Sequence, residues 1–260
     1  MHFTKMHGLG NDYLYVYGAP VDADTIRRLS DRHFGAGSDG MIFIEPSGIA
    51  DFKMRVFNAD GSEAKMCGNG VRCVGKYVYD RGLTEKTRLT IETLSGVKIL
   101  TLFTENGKVH SVAVDMGAAE TAPEQTLDVD GKSVTATPVS VGNPHAVIFT
   151  EDAEHAPLTT LGPRIERHRA FPGGVNVEFV QPLDDHTLRM RVWERGSGIT
   201  MACGTGACAS AAAAVQKGFC RAGVPIDVVL DGGTLQIFVA WDGAVTMTGP
   251  AVTVYEGETI

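Results

Sequence analysis

The feature that most constrains the fold of this chain is an internal match. Cys67-Gly68-Asn69-Gly70 recurs as Cys203-Gly204-Thr205-Gly206 at an offset of 136 residues. Gly10-Asn11, in HGLGNDYLYV, faces Gly142-Asn143, in SVGNPHAVIF, at an offset of 132. Both offsets are close to half of the 260 residues. Each half also runs in one order: a Gly-Asn turn, a strand-like run, a helix candidate, strands, then CGxG and a second helix candidate. Self-similarity is read before secondary structure because missing it misassigns the whole fold. Here it predicts two similar domains.

Local patterns agree. Segments 13–17, 41–44 and 53–57 are short, apolar or alternating, and rich in β-branched and aromatic residues, as strands are. Asp22 can cap a helix running to about residue 32, with Ile26 and Leu29 on one face. Val71, Val74 and Val78 stand at helical spacing within 70–79, ahead of a stop near Gly82. Strands are expected at 88–93, 97–103 and 109–115. In the second half they are expected at 146–149, 175–180, 187–193, 226–230, 235–241 and 252–255. A helix over 206–217 carries ACASAAAAVQ, small and apolar almost all round, which predicts a buried helix. Because strands come in runs, two mixed α/β domains of the α+β type fit better than alternating βαβ units. The Pro/Glu/Thr-rich stretch 117–125 marks the boundary.

Composition excludes several classes of function. Hydrophobic residues make up 43% and charged residues 21%, which rules out wholesale disorder. The formal net charge of −8, with no Lys/Arg block, argues against binding nucleic acid or an anionic membrane through bulk charge. No apolar run approaches the roughly 18–20 residues of a membrane span, and MHFTKMHGLGND lacks the regions of a signal peptide. A cytoplasmic protein is expected. Five cysteines, an odd number, argue against a disulfide framework. No histidine stands within a few residues of either CGxG to complete a zinc site, so no metal is expected.

The chemistry follows from where the cysteines stand. Each CGxG opens a helix candidate, where glycine lets a ligand approach the backbone and the first N–H groups lack internal partners. That end attracts carboxylate or phosphate and lowers a thiol's pKa toward neutrality. One such element could be a phosphate loop or an inert core cysteine. Two copies, one per repeat, suggest a pair of thiols on opposite faces of one carbon. Inversion by proton transfer needs such a pair: one thiolate removes the proton and the other thiol returns one.

Six blocks in order then resemble the diaminopimelate epimerases, a branch of the cofactor-independent amino-acid racemase family that also holds proline racemase. They are MHGLGNDY, FNADGSEAKMCGNGVRC, VGNPHAV, GGVNVEFV, WERGSGITMACGTGAC and TGPAVTVYEG. The resemblance implies two pseudo-symmetric domains, each a β-barrel-like sheet around a central helix, with the active site in the cleft between them. The N-terminal domain would cover 1–117 with a returning strand at about 249–260, and the C-terminal domain 118–248. The implied reaction interconverts LL- and meso-diaminopimelate, for lysine and peptidoglycan precursors, without pyridoxal phosphate or any other cofactor. Homodimers are familiar among the relatives, so a homodimer is carried over as an expectation.

By position, the resemblance makes Cys67 and Cys203 the two bases, with Cys67 the acceptor for the LL substrate. Backbone N–H groups at Gly68, Asn69, Gly204 and Thr205 would hold the reacting carboxylate, in line with the helix-terminus argument. Asn58, Asn143, Asn176, Glu194 and Arg195 would hold the distal amine and carboxylate, with Asn11 lining the site. A zwitterionic end needs both acceptors and a forked cation. His145 and Glu194 are implied to tune the thiols or assist proton transfer.

Each residue also has a plainer reading. The Gly-Asn, Asn-Pro and Asn58-Ala59-Asp60-Gly61 segments are good turn formers. Glu194-Arg195 could be a solvated pair, and His145 a hydrogen-bonded structural histidine. Asp12 and Asp60 read as turn or capping residues, and Cys73 and Cys208 as core. Two positions depart from the family pattern. Gly40 stands where some relatives place a substrate-contacting glutamine, and Ile199 where glutamate is common. The rival functions are a racemase of another or broader amino-acid range, a cysteine hydrolase using Cys67 or Cys203 with His145, and a non-catalytic binder of anionic metabolites.

Overall fold

The computed structural model describes residues 1–259. The fold is mixed α/β, with four helices among the described residues, and the chain divides into two compact units. One is Met1–Asp115 together with the segment from Thr248 onward; the other is Met116–Met247. No helix among the described residues is long and apolar enough to cross a membrane.

The first unit holds β1 (His2–Gly8), β2 (Asn11–Tyr17), α1 (Ala23–Ser30), β3 (Gly40–Glu45), β4 (Phe52–Asn58), β5 (Glu63–Ala64), α2 (Gly68–Asp80), β6 (Arg88–Thr93), β7 (Gly96–Glu105) and the start of β8 (Lys108–Ala118). β1 pairs antiparallel with β2, β2 parallel with β3, β3 antiparallel with β4, β4 parallel with β6, and β6–β7–β8 continue antiparallel. The second unit holds β9 (Glu120–Thr121), β10 (Gln125–Val129), β11 (Lys132–Ser140), β12 (Pro144–Phe149), α3 (Leu158–Glu166), β13 (Asn176–Pro182), β14 (Thr187–Glu194), β15 (Gly198–Ile199), α4 (Gly204–Lys217), β16 (Pro225–Leu230), β17 (Gly233–Val239) and the start of β18 (Ala244–Pro250). Its ladder repeats the succession: β11–β12 antiparallel, β12–β13 parallel, β13–β14 antiparallel, β14–β16 parallel, β16–β17 antiparallel. β19 (Val252–Glu258) pairs antiparallel with β1, from His2 opposite Glu258 to His7 opposite Val252.

The duplication reaches single residues. Leu14 stands opposite Met41 and Tyr15 opposite Ile42; Ala146 stands opposite Val177 and Val147 opposite Glu178. Ile42 then faces Val56, and Glu178 faces Val192. The offsets of 132 and 136 seen in the sequence therefore carry over into register, so residues matched by offset occupy matched places on their sheets.

Elementary chemistry accounts for the elements. Asp22 caps α1, its carboxylate accepting the Thr25 N–H at 2.9 Å, and Ile26 and Leu29 are buried beneath. The α4 stop is Gly218, at φ 76°, a conformation that favours glycine; the Phe219 N–H then bonds back to Ala214 O at 2.9 Å. Helix α4 packs on β9, β11, β12, β13, β14, β16 and β17, so the sheet curls around it. Only small side chains permit that approach from every side, which is why Ala207, Ala209, Ala211, Ala213 and Ala214 are buried completely. Helix α2 meets the same demand with Gly75, where an added Cβ would come within 2.9 Å of Leu100 and Leu102 side chains.

Candidate active site

Each unit presents its cysteine at the same point of the same device. Cys67 is the N-cap of α2, with extended φ −133° and ψ 114°, and its Sγ accepts the Gly70 N–H at 3.3 Å. Cys203 is the N-cap of α4, with φ −113° and ψ 108°, and its Sγ accepts the Gly206 N–H at 3.3 Å. Sulfur thus takes the place that a serine or aspartate oxygen usually fills. In both, the third helical residue is a glycine pressed against the sheet, where any side chain would displace its neighbour. A Cβ on Gly70 would lie 2.5 Å from Ile42 Cδ1, and one on Gly206 would lie 2.8 Å from Glu178 Oε1.

In the first unit the expected residues Asn11, Cys67 and Asn69 come together. Asn11 Oδ1 accepts from Cys67 Sγ at 3.3 Å and from Asn69 Nδ2 at 3.4 Å. Asp39 holds Asn11 in place by accepting its Nδ2–H at 2.8 Å. Behind them lies Arg72, fully buried, donating to Asn69 Oδ1 at 3.0 Å and to the Gly68 carbonyl at 3.2 Å. Burial, with Cys67 and Asp39 adding to it, pushes the Tyr13 hydroxyl far up, so this phenol stays a proton donor. Asn58 ends β4 and donates to Ser62 Oγ at 3.0 Å. Its turn joins the others through Asp39, whose carbonyl accepts the Ala59 N–H. Asp12 corrects an expectation: it lies on β2, neither turn nor cap, and bonds to Lys5 and Arg32.

In the second unit the gathering is tighter. Asn143 Nδ2 donates to Thr205 Oγ1 at 3.2 Å, and that hydroxyl lies 3.6 Å from Cys203 Sγ. Asn176 stands opposite His145 in the β12–β13 ladder; it donates to the Pro144 carbonyl at 3.1 Å and accepts the Arg195 N–H at 2.9 Å. Glu194 accepts from Thr200 Oγ1 at 2.5 Å. The guanidinium of Arg195 bonds the Gly173 carbonyl at 3.0 Å and lines a cavity of about 390 Å³ together with Arg167 and Arg169. Only Glu194 departs from the solvated-pair reading, since it turns inward; Arg195 is exposed beside an open, cationic hollow. Ile199 stands half-exposed opposite Trp193.

The electrostatics of Cys203 overturn one expectation. Burial pushes its thiol well above the ordinary value, and the Glu194 and Glu178 carboxylates push it further; the Thr205 hydroxyl and Gly206 N–H pull the other way and lose. The helix terminus does not make this thiol acidic. Glu194 is itself raised, chiefly by burial, against hydrogen bonds from Thr200 and Cys203. Cys73 and Cys220 are core thiols, likewise pushed up by burial, each to about 11.

Sequence reasoning missed Glu178. Its Oε1 lies 2.6 Å from His145 Nδ1, and neither side chain is exposed. The available signal was a single acid inside the apolar strand NVEFV, which a strand buried on both faces would carry only with a partner.

Comparison with known proteins agrees with this picture. The family model for diaminopimelate epimerase matches residues 3–122 and 137–254. The chain is 51% identical to the diaminopimelate epimerase of Methanococcus maripaludis strain C5, covering 99% of each chain, and 53% identical to that of Phocaeicola vulgatus, covering 98% of this chain and 97% of that one. A crystal structure of a probable proline racemase from Agrobacterium radiobacter K84 superposes with a TM-score of 0.78 over all of this chain and 92% of that one, at 17% identity. That likeness is one of fold.

Proposed function

The chain belongs to the diaminopimelate epimerase family, and we propose on that premise that it interconverts LL- and meso-diaminopimelate by proton transfer between two cysteines. The observation that carries the reading is the twin Cys-capped helix start in a chain of this family. In the LL-to-meso direction, the Cys67 thiolate takes the α-proton. The C–H electron pair passes toward the α-carboxylate, and the Cys203 S–H delivers its proton to the opposite face of the carbon. The roles exchange in the reverse direction. The N–H groups of Gly68, Asn69, Gly204 and Thr205 hold the carboxylate where charge accumulates, at the ends of helices that favour an anion.

The distal amine and carboxylate fall to Asn58, Asn143, Asn176, Glu194 and Arg195, with Asn11 beside Cys67. Arg195, bordering a hollow it shares with two further arginines, suits a carboxylate there. His145 and Glu194 act on the thiols. The reading assigns the proton transfers to side chains alone, without pyridoxal phosphate or metal. A chemistry that needs reduced thiols places the enzyme in a reducing compartment, the cytoplasm, and a homodimer remains part of the proposal.

Proton NMR of LL-diaminopimelate in heavy water with the reduced protein tests the reading. Loss of the α-proton signal with meso product on chiral analysis supports it. Loss of signal from another amino acid, and none from this one, moves the chain to a racemase of different range.

A further inference from the structure

The two half-sites share a scaffold but not a charge. Residues matched by register differ at three places close to the thiols. Where the first unit has Tyr13 on β2, the second has His145 on β12; where β3 carries Ile42, β13 carries Glu178; and where α2 buries Arg72, α4 has Cys208. The same close approach, of the third helical glycine to the sheet, is made against a methyl group in one unit and a carboxylate oxygen in the other.

Glu178 is costly to keep there. Its side chain and that of His145 are buried completely, and Glu178 Oε2 and His145 Nε2 are buried with no hydrogen-bond partner among the described residues. Folds seldom tolerate two such atoms in one buried pair unless the groups serve something besides stability. A carboxylate accepting the Nδ1–H of a histidine fixes the ring's tautomer and leaves Nε2 as a lone-pair acceptor. The groups facing Cys203 are Glu178 from β13, Glu194 from β14 and Thr205 from α4 itself, with His145 from β12 held by Glu178 and acting on Glu194. Those facing Cys67 include Asn11, Tyr13 and Tyr15 from β2, and Cys73 and, through Asn69, Arg72 from α2. The nearby Asp39 is tied to Arg32 at 2.8 Å.

We propose that Glu178 is a positioning residue which makes the two thiols unequal: it fixes His145 through Nδ1, sets a carboxylate against the start of α4, and so keeps Cys203 protonated in the resting enzyme as the waiting proton donor. The proposal rests on the two-thiol reading above and deepens it. Without such a bias, a duplicated site could rest with both thiols protonated, which leaves no base, or both charged, which leaves no donor.

The test uses full-length protein labelled with [3-13C]cysteine, following each Cβ shift against pH without substrate. Cys67→Ser and Cys203→Ser spectra assign the two signals. In the wild type, Cys203 titrates at higher pH than Cys67. In Glu178→Gln, which keeps shape and an acceptor for Nδ1–H, the Cys203 midpoint falls enough to raise its thiolate fraction about tenfold at a given pH, and Cys67 does not move. Glu178→Asp, which keeps the charge, retains a high midpoint. Equal midpoints in the wild type, or an unmoved Cys203 in a folded Glu178→Gln, overturn the proposal. Turnover by Cys203→Ser is read separately: its survival sinks the two-thiol reading, whereas the titration concerns Glu178 alone.

Discussion

The Phe57 carbonyl oxygen lies 1.9 Å from where a Cβ on Gly40 would stand. Gly40 opens β3 opposite Asn58, at φ 153°, so strand β4 occupies the space a side chain would need. The glutamine that some relatives place here cannot be restored by substitution alone. Gly40→Gln is expected to destabilise the first unit by about 3 kcal/mol, through strain and a backbone shift at Asn58. Thermal unfolding of the variant checks this; an unchanged Tm would show that β3 and β4 part at little cost.

The two cysteine caps separate stability from chemistry. Serine is a better N-cap than cysteine, and the Gly70 and Gly206 N–H groups would find an oxygen where they now meet sulfur. Cys67→Ser and Cys203→Ser should therefore keep the wild-type Tm or exceed it slightly. Each should lower epimerisation by a factor of about 10² or more, since a positioned acid or base contributes about 10²–10⁴. A variant that loses its fold together with its activity would count against this division of roles.

Much of this arrangement is legible in the sequence because it is duplicated. The CGxG and Gly-Asn matches place two strands, a helix start and a turn in each half, and Gly10 and Gly142 indeed turn at φ 84° and 88°. The unlocated elements lack local signals for physical reasons. Helix α3 starts after Pro157 with no side-chain cap and carries Pro163 inside, so neither cap nor propensity announces it. Strands β10 and β11 lie just past the 117–125 boundary stretch and place few apolar residues among exposed polar ones around a tight Asp130-Gly131 turn, so no apolar run marks them as strands. Glu178 leaves a weaker mark: a single acid in the apolar strand NVEFV calls for a buried partner, but nothing local says that the partner is His145.

Glu194 gives a prediction about pH. Its carboxyl is raised above the ordinary carboxylate value by burial, so the folded protein holds this proton more firmly than the unfolded chain does. Its contribution to stability is complete below the unfolded value, near 4.5, and is lost as pH rises through the folded one. Glu194→Gln resembles the protonated form and loses nothing on that rise, while still accepting from Thr200. Urea unfolding of both proteins should coincide near pH 4, with Glu194→Gln the more stable toward neutrality. A gap that does not change with pH would mean that Glu194 carries the same proton affinity folded and unfolded.

Helix α4 offers the last test, of the enclosure that presents Cys203. Ala211 is fully buried in the middle of a helix packed on seven strands of one sheet. Ala211→Leu adds three carbons where no space is left, and cores resist such additions by about 1–3 kcal/mol. For a unit of this size that lowers Tm by roughly 3–6 °C for each kcal/mol. The second consequence matters more for function. If the sheet yields along α4, the Gly206–Cys203 contact and the carboxylate of Glu178 shift together, and activity should fall by more than the loss of folded protein explains. Circular dichroism melts and turnover per folded molecule, measured on the same preparation, separate the two effects. Full activity from the folded fraction would show that the start of α4 is held locally, by its cap and its glycines, and not by the packing of the rest of the helix.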